Sequence, residues 1–357
     1  MMNTPSSQTS RERLWYLDLL RIAATLAIVC LHVSPFVGLD ISSPDWQIAN
    51  VYNTLCRFAV PVFFMISGAL FLSPQHELSP RRIFTKSLPR LLTSFLFWSA
   101  LYAIVYCVST GKGKWTFLNQ LLRGHYHMWY IFAIAGLYLL TPLLRKMTSC
   151  KATTEYFLAS AFLFSFVLSR ALAFISLFDF AHKDVLQSLR ASFSQINPFG
   201  GIYAVFYYVL GFYLSAYPPR ALLRRIGYLL GVGAFAAITL LTSWHTRINN
   251  AVSGYFYDPS TLLVLMMSAA VYLFFMQRFR NASFSGKRAR ILSRVSACSY
   301  GVYLMHPLIL ERLNLSLHLW PVSLWLSIPL TGLAIFAVAL GISFALSCIA
   351  PLRRHIL

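Results

Sequence analysis

Apolar residues fall in long blocks near 14–37, 50–72, 88–109, 129–145, 155–178, 198–216, 226–243, 259–279, 297–317 and 322–350. Most approach the ~20 residues that a helix needs to cross a bilayer. None alternates polar and apolar positions with the period of two expected of a membrane β-strand. Lipid admits only elements that satisfy their own backbone groups, so the pattern predicts an all-α integral membrane protein of about ten transmembrane helices. The first block holds Asp18, Arg21 and His32 and is followed by no small-residue cleavage site. It is therefore expected to remain as a helix rather than leave as a signal peptide. Residues 1–357 then form a single transmembrane domain, with polar tails at 1–13 and 351–357.

Polar side chains inside such blocks are costly in lipid and usually face the protein interior. Arg21 and His32 are separated by about three helical turns and ~16 Å of rise, which puts both on one face. Asp18, one turn before Arg21, can pair with it, and Thr25 extends the stripe. Taken singly, Arg21 reads as a snorkelling interfacial residue and His32 as a packing residue. Together on one face they read as a site. A histidine at mid-depth suits general-base chemistry, since its ordinary pKa lies near neutral pH.

In the second block Asn50, Asn53, Thr54, Arg57 and Pro61 recur at helical spacing. Arg57 lies too deep to reach water without a partner or a cavity. Ser67-Gly68 ends the block, where glycine permits close backbone approach. The following SPRRIFTKSLPRLL places Arg82, Lys86 and Arg90 at i, i+4 and i+8 beside Arg81, a basic stripe that suits topology and phosphates alike. HYHMWY sets His125, His127, Trp129 and Tyr130 at the outer interface, and an aromatic belt explains only the last two. SYGVYLMHPLILER carries Tyr300, Tyr303, His306 and Glu311, with Tyr303 and His306 one turn apart. No HxxxH or HExxH pattern occurs, so no metal site is expected.

Composition agrees with a membrane chain: 58% of residues are hydrophobic and 11% charged, and the mean hydropathy is +0.63. A soluble enzyme would carry roughly a quarter charged residues, and 16% aromatic residues argue against disorder. The net charge of +20 would suggest nucleic acid in a soluble protein. Here it sorts by side. With the N-terminus placed in the cytoplasm, 19 Lys and Arg fall in cytoplasmic connections, among them Arg81, Arg82, Lys86, Arg224, Lys287 and Arg353. Seven fall outside, including Lys112, Lys183, Arg190 and Arg247. That bias predicts both termini in the cytoplasm and makes lipid headgroups, not nucleic acid, the partners of most basic residues. The outer connections near 110–128, 179–197 and 244–258 can cover a site from above. Six scattered cysteines without a CxxC pair read as small buried hydrophobes.

Four of these segments resemble one family. LDLLRIAATLAIVCLHV is similar to the Arg-x10-His first helix of the acyltransferase-3 family of membrane O-acyltransferases, and RFAVPVFFMISGALF to its second-helix motif. HMWYIFAI resembles its histidine-aromatic motif, and CSYGVYLMHPLI its late Ser-Tyr-Gly-x-Tyr-x-x-His segment. The four occur in order and the likeness spans about 15–310. One feature departs: many members carry Arg-x-x-Arg entering the third helix, and this chain has Arg81-Arg82, Lys86 and Arg90 instead. That leaves open which of them meets the donor. No appended periplasmic esterase-like domain is expected.

The resemblance implies transfer of an acyl group, usually acetyl, from cytoplasmic acyl-CoA to a sugar hydroxyl of a bacterial envelope polysaccharide or its lipid-linked precursor, in the inner membrane. It implies His32 as the catalytic base and Arg21, Arg81, Arg82, Lys86 and Arg90 as candidates for the CoA phosphates. Asp18, Asn53, Arg57, Ser67, His127, Trp129, Tyr130, Tyr303, His306 and Glu311 would support the site or hold the acceptor. No permanently bound cofactor is implied, because acyl-CoA is a substrate. Direct attack of the hydroxyl on the thioester and a transient acyl-enzyme both remain open. A second class also stays open: a transporter or flippase using Arg57 and the histidines as a substrate and proton path. A third is a non-catalytic accessory that handles a lipid-linked glycan.

Overall fold

The computed structural model describes residues 13–34, 36–74, 79–168, 170–171, 203–312 and 322–356. All regular elements among them are helical. The connection carrying Lys183 and Arg190 lies outside the described residues, as do Arg11 and parts of the blocks expected at 155–178, 198–216 and 297–317. The helices used below are α1 (Trp15–Val33), α2 (Pro44–Cys56), α3 (Ala59–Phe71), α4 (Leu88–Thr110), α5 (Lys114–Arg123), α6 (Trp129–Thr148), α7 (Lys151–Phe162), α8 (Tyr203–Ala216), α9 (Ala221–Asn249), α10 (Leu262–Phe279), α11 (Gly286–Arg312), α12 (Leu324–Ser347) and α13 (Ala350–His355). Seven helical stretches among the described residues are long and apolar enough to cross a membrane, and α8 is a shorter apolar helix. The protein is an all-α integral membrane protein.

Three expected elements differ in detail, each for a local reason. The second block is broken into α2 and α3 at Arg57-Phe58. Pro61 lacks the N–H that would bond the Arg57 carbonyl, and its ring crowds that carbonyl, so the helix cannot run through. Before α4 a single turn (Pro80–Arg82) leads into a π-helical turn (Ile83–Ser87). The wider turn shifts the helical phase, so Lys86 does not continue one straight stripe from Arg82 to Arg90. The ninth block begins as helix already at Gly286. Its first turns carry Lys287, Arg288, Arg290 and Arg294, which lipid excludes, so the membrane part starts nearer Ser296.

Helix α1 sits at the centre and touches α2, α3, α10, α11 and α12. Leu20 and Ala24 are completely buried. Helices in lipid gain little from hydrophobic burial and associate through close packing and hydrogen bonds. Helices α3 and α8 cross at the tightest contact: a Cβ on Gly68 would lie 1.7 Å from the Tyr208 carbonyl oxygen, and one on Gly211 2.1 Å from that of Met65. A hydroxyl chain adds polar glue between α1, α8 and α10, where Ser215 Oγ bonds the Tyr16 hydroxyl at 3.0 Å and the Tyr272 hydroxyl at 2.6 Å.

Candidate active site

The site is built around the two polar residues of α1. At one end, Asp18 accepts from Arg13 Nε at 2.6 Å and from Ser296 Oγ at 2.5 Å. Arg21 Nη1 in turn donates to Ser296 Oγ at 3.4 Å. The expected Asp18–Arg21 pair is therefore replaced: Arg13 and α11 take the carboxylate, and Arg21 is left facing a cavity. Thr25 likewise turns away, its hydroxyl donating to the Arg21 carbonyl at 2.8 Å.

The Arg21 cavity has a volume of about 440 Å³. Its walls include Ser67, Arg90, Tyr138, Ser296 and Tyr300. Of the five basic residues expected at this mouth, Arg21 and Arg90 line it. Arg81, Arg82 and Lys86 are exposed before or within the π turn and are not part of its wall. A smaller cavity of about 220 Å³ holds His32, Arg57, His127, Trp129 and Tyr257. The two share Phe63, Tyr130 and Tyr303 as walls. The two cavities thus lie next to each other beside α1, one at the Arg21 end and one at the His32 end, with these three aromatic rings between them.

At the second end the hydrogen bonds fix the histidine tautomers. His306 Nδ1 faces the carbonyls of Tyr303 at 2.8 Å and Val302 at 3.2 Å. A carbonyl only accepts, so this nitrogen carries the proton. His306 Nε2 is then an acceptor, and His32 Nδ1, 2.7 Å away, must donate to it. The rings are parallel within 4° with centroids 5.0 Å apart, so they meet edge to edge in one plane. His32 Nε2 is left with a free lone pair, on the ring that lines the cavity. Pro307 supplies the first link: with no N–H of its own it leaves the Tyr303 carbonyl free to accept from His306. The interruption is bridged by the Tyr102 hydroxyl, which donates to the Leu304 carbonyl at 2.9 Å and accepts from the Leu308 amide at 3.2 Å.

The remaining expected residues divide. Trp129, Tyr130 and His127 line the His32 cavity, and Tyr303 joins them, its hydroxyl bonded to the His127 carbonyl. Asn53 stands behind, accepting from Arg57 Nη2. Glu311 does not reach His32: it bonds His125 Nε2 at 3.2 Å in a separate pocket, with His125 stacked on Tyr102 at 4.1 Å. Sequence reasoning missed Tyr257, whose ring covers the Arg57 guanidinium at 4.1 Å. It also missed Ser296, Tyr126 and Tyr102. Tyr257 and Tyr126 do lie in two of the outer connections expected to cover a site. Ser296 and Tyr102 carry no sequence signal apart from lying within apolar helices. No group of three His, Cys, Asp or Glu among the described residues is placed to share a metal.

A comparison with protein families matches residues 14–349 to the acyltransferase-3 family model, described as an acyltransferase domain. No curated protein and no solved structure matches the chain. The match covers nearly all of the helices that build the two cavities. The chain belongs to the acyltransferase-3 family of membrane acyltransferases.

Proposed function

We propose that this membrane acyltransferase is an O-acetyltransferase that moves an acetyl group from cytoplasmic acetyl-CoA to a sugar hydroxyl of a bacterial envelope glycan or its lipid-linked precursor. The observation that carries the reading is His32, whose Nδ1–H is held by His306 and whose Nε2 is free at a small cavity adjoining the Arg21 cavity. Arg21 and Arg90 at the wide end suit CoA phosphates through charge-assisted hydrogen bonds. The rise along α1 matches a pantetheine arm, which delivers the thioester beside His32. The hydroxyl oxygen attacks the thioester carbonyl as His32 Nε2 removes its proton. The C–S bond breaks, and the proton passes from Nε2 to the departing CoA sulfur. No acyl-enzyme is required, since acceptor and donor share one base. A cavity well below the ~300–1,000 Å³ of drug-sized ligand sites favours a short acyl group over a long chain.

The stretch from Trp46 to Phe71 reads WxxANxxxxxxRxxVPxFFMISGxLF and resembles the O-acetyltransferase of enterobacterial common antigen, which supports a repeating envelope polysaccharide of the bacterial inner membrane as the destination. Mass spectrometry of envelope glycans from cells with and without the protein tests the reading. One or more sugars lighter by an acetyl group are expected in its absence. Identical glycans, together with no acetyl-CoA turnover by the purified protein, would overturn it.

A further inference from the structure

The His32 cavity holds a cation that no carboxylate among the described residues touches. Asp258, next in sequence to Tyr257, is near enough to act on Arg57 electrostatically, but its carboxylate is paired with Arg170 at 2.8 Å. Arg57 closes α2 at the break caused by Pro61, and α3 begins two residues later with the positive end of its dipole at the same wall, through Val60. The guanidinium spends Nη2 on Asn53 Oδ1 and one face on the Tyr257 ring. Its Nε is buried without a hydrogen-bond partner. The ion pairs among the described residues join Arg13 to Asp18, His125 to Glu311, Lys151 to Glu155 and Arg170 to Asp258, and none involves Arg57. A fixed cation of this kind in a membrane-embedded pocket is expensive, and such groups mark places where a ligand supplies the counter-charge.

We propose that Arg57 is the anchor for an anionic group on the acceptor. The substrate class is accordingly an acidic glycan, bearing a carboxylate or a phosphate near the hydroxyl presented to His32. The neutral partners of Arg57 favour this. Asn53 and Tyr257 orient the guanidinium and leave its charge intact, whereas a structural arginine at this depth would be matched by a carboxylate. Tyr257 is itself fixed, its hydroxyl bonded to Asn50 Oδ1, so the guanidinium is held in place at the cavity wall before the ligand arrives. Trp129 and Tyr130 in the same wall offer flat apolar faces to a sugar ring. The inference rests on the acyltransferase reading and names the acceptor that reading leaves open.

Binding measured on the purified full-length protein tests it, with methyl β-D-glucuronide as the carboxylate probe, glucose 1-phosphate as the phosphate probe and methyl β-D-glucoside as the neutral control. One or both anions should raise the thermal midpoint in a saturable way, and the glucoside should not. A response to the glucuronide alone assigns a sugar carboxylate, and a response to the phosphate alone a phosphorylated or lipid-linked sugar. Arg57→Gln should weaken the anion's binding by about tenfold or more, the loss expected of one charge-assisted pair. Asn53→Asp guards against misfolding: it keeps the side-chain shape and supplies Arg57 with an internal carboxylate, so it should abolish the anion response while preserving or raising the unliganded midpoint. The inference is overturned if the glucoside binds as well as the anions, if neither anion binds, or if a folded Arg57→Gln or Asn53→Asp protein binds them like the parent. Acetyl-CoA turnover by the unaltered protein, measured in parallel, separates these outcomes from a failure of the acyltransferase reading.

Discussion

A neutral imidazole is an ambiguous group, because either ring nitrogen can carry the proton. At His32 the choice is made two residues away, where the Tyr303 carbonyl fixes His306 and His306 fixes His32. Replacing His32 with alanine should leave the protein inserted and folded yet lower transfer by roughly a hundredfold or more. Acetyl release from acetyl-CoA in the presence of acceptor glycan reads this, and full activity in correctly inserted protein would remove His32 from the role. His306→Gln keeps an acceptor for the His32 proton and His306→Leu does not. The leucine variant should therefore lose activity by about tenfold or more and the glutamine variant by less, with the KM for acetyl-CoA nearly unchanged in both. At the other end, Arg21→Ala should raise that KM by about tenfold, and Arg21→Lys should recover part of the loss. Coenzyme A and a phosphate-free pantetheine analogue binding the parent equally well would count against a phosphate clamp.

Two helices whose hydrogen-bond ladders are interrupted carry the site, and both interruptions are proline effects. Pro61 ends α2 where Arg57 can turn into the His32 cavity, and Pro307 releases the carbonyl that orients His306. Pro307→Ala restores an N–H that competes for the Tyr303 carbonyl. The variant should be at least as heat-stable as the parent and less active, a combination that a purely structural proline would not produce. Gly68→Ala and Gly211→Ala act on the opposite quantity. Each places a Cβ inside backbone of the facing helix, so both should give little folded protein in detergent, read by size-exclusion profile. Much of this scale was legible in the sequence. Among the described residues, hydrophobic block length gave helices close to the expected places, and costly polar residues pointed to Arg21, His32, Arg57 and His306. The partners were not legible, because Ser296, Tyr257 and Tyr102 come from distant segments, and a single serine or tyrosine on a helix or in a connecting turn carries no signal of its partner. The π turn before α4 was equally hidden, since an i, i+4, i+8 count assumes an unbroken α-helical phase.

On the scale of the whole molecule, the two cavities give the protein a direction. The Arg21 end lies with Arg90 and the basic turns that open α11, and the histidine end lies with the connections carrying His125 and Tyr257. The positive-inside bias in the sequence predicts the first end in the cytoplasm, where acyl-CoA is made, and the second on the outer side, and the labelling below tests it. Acetyl alone would then cross, with CoA and acceptor each staying on its own face. In sealed vesicles of known orientation, acetyl-CoA should support transfer when supplied on the cytoplasmic face and fail on the other. Sidedness can be checked by labelling single cysteines in a background freed of the six native ones, two of which, Cys150 and Cys348, are exposed. Arg247→Cys, at the end of α9 near the His32 side, should react with an impermeant reagent from outside. Lys287→Cys, in the first turn of α11, should react only after permeabilisation. Labelling in the reverse pattern would invert the topology. Passage of an intact glycan through the purified protein without CoA would replace acyl transfer by transport, because a transporter moves the whole acceptor through the path that an acyltransferase uses for one acetyl group.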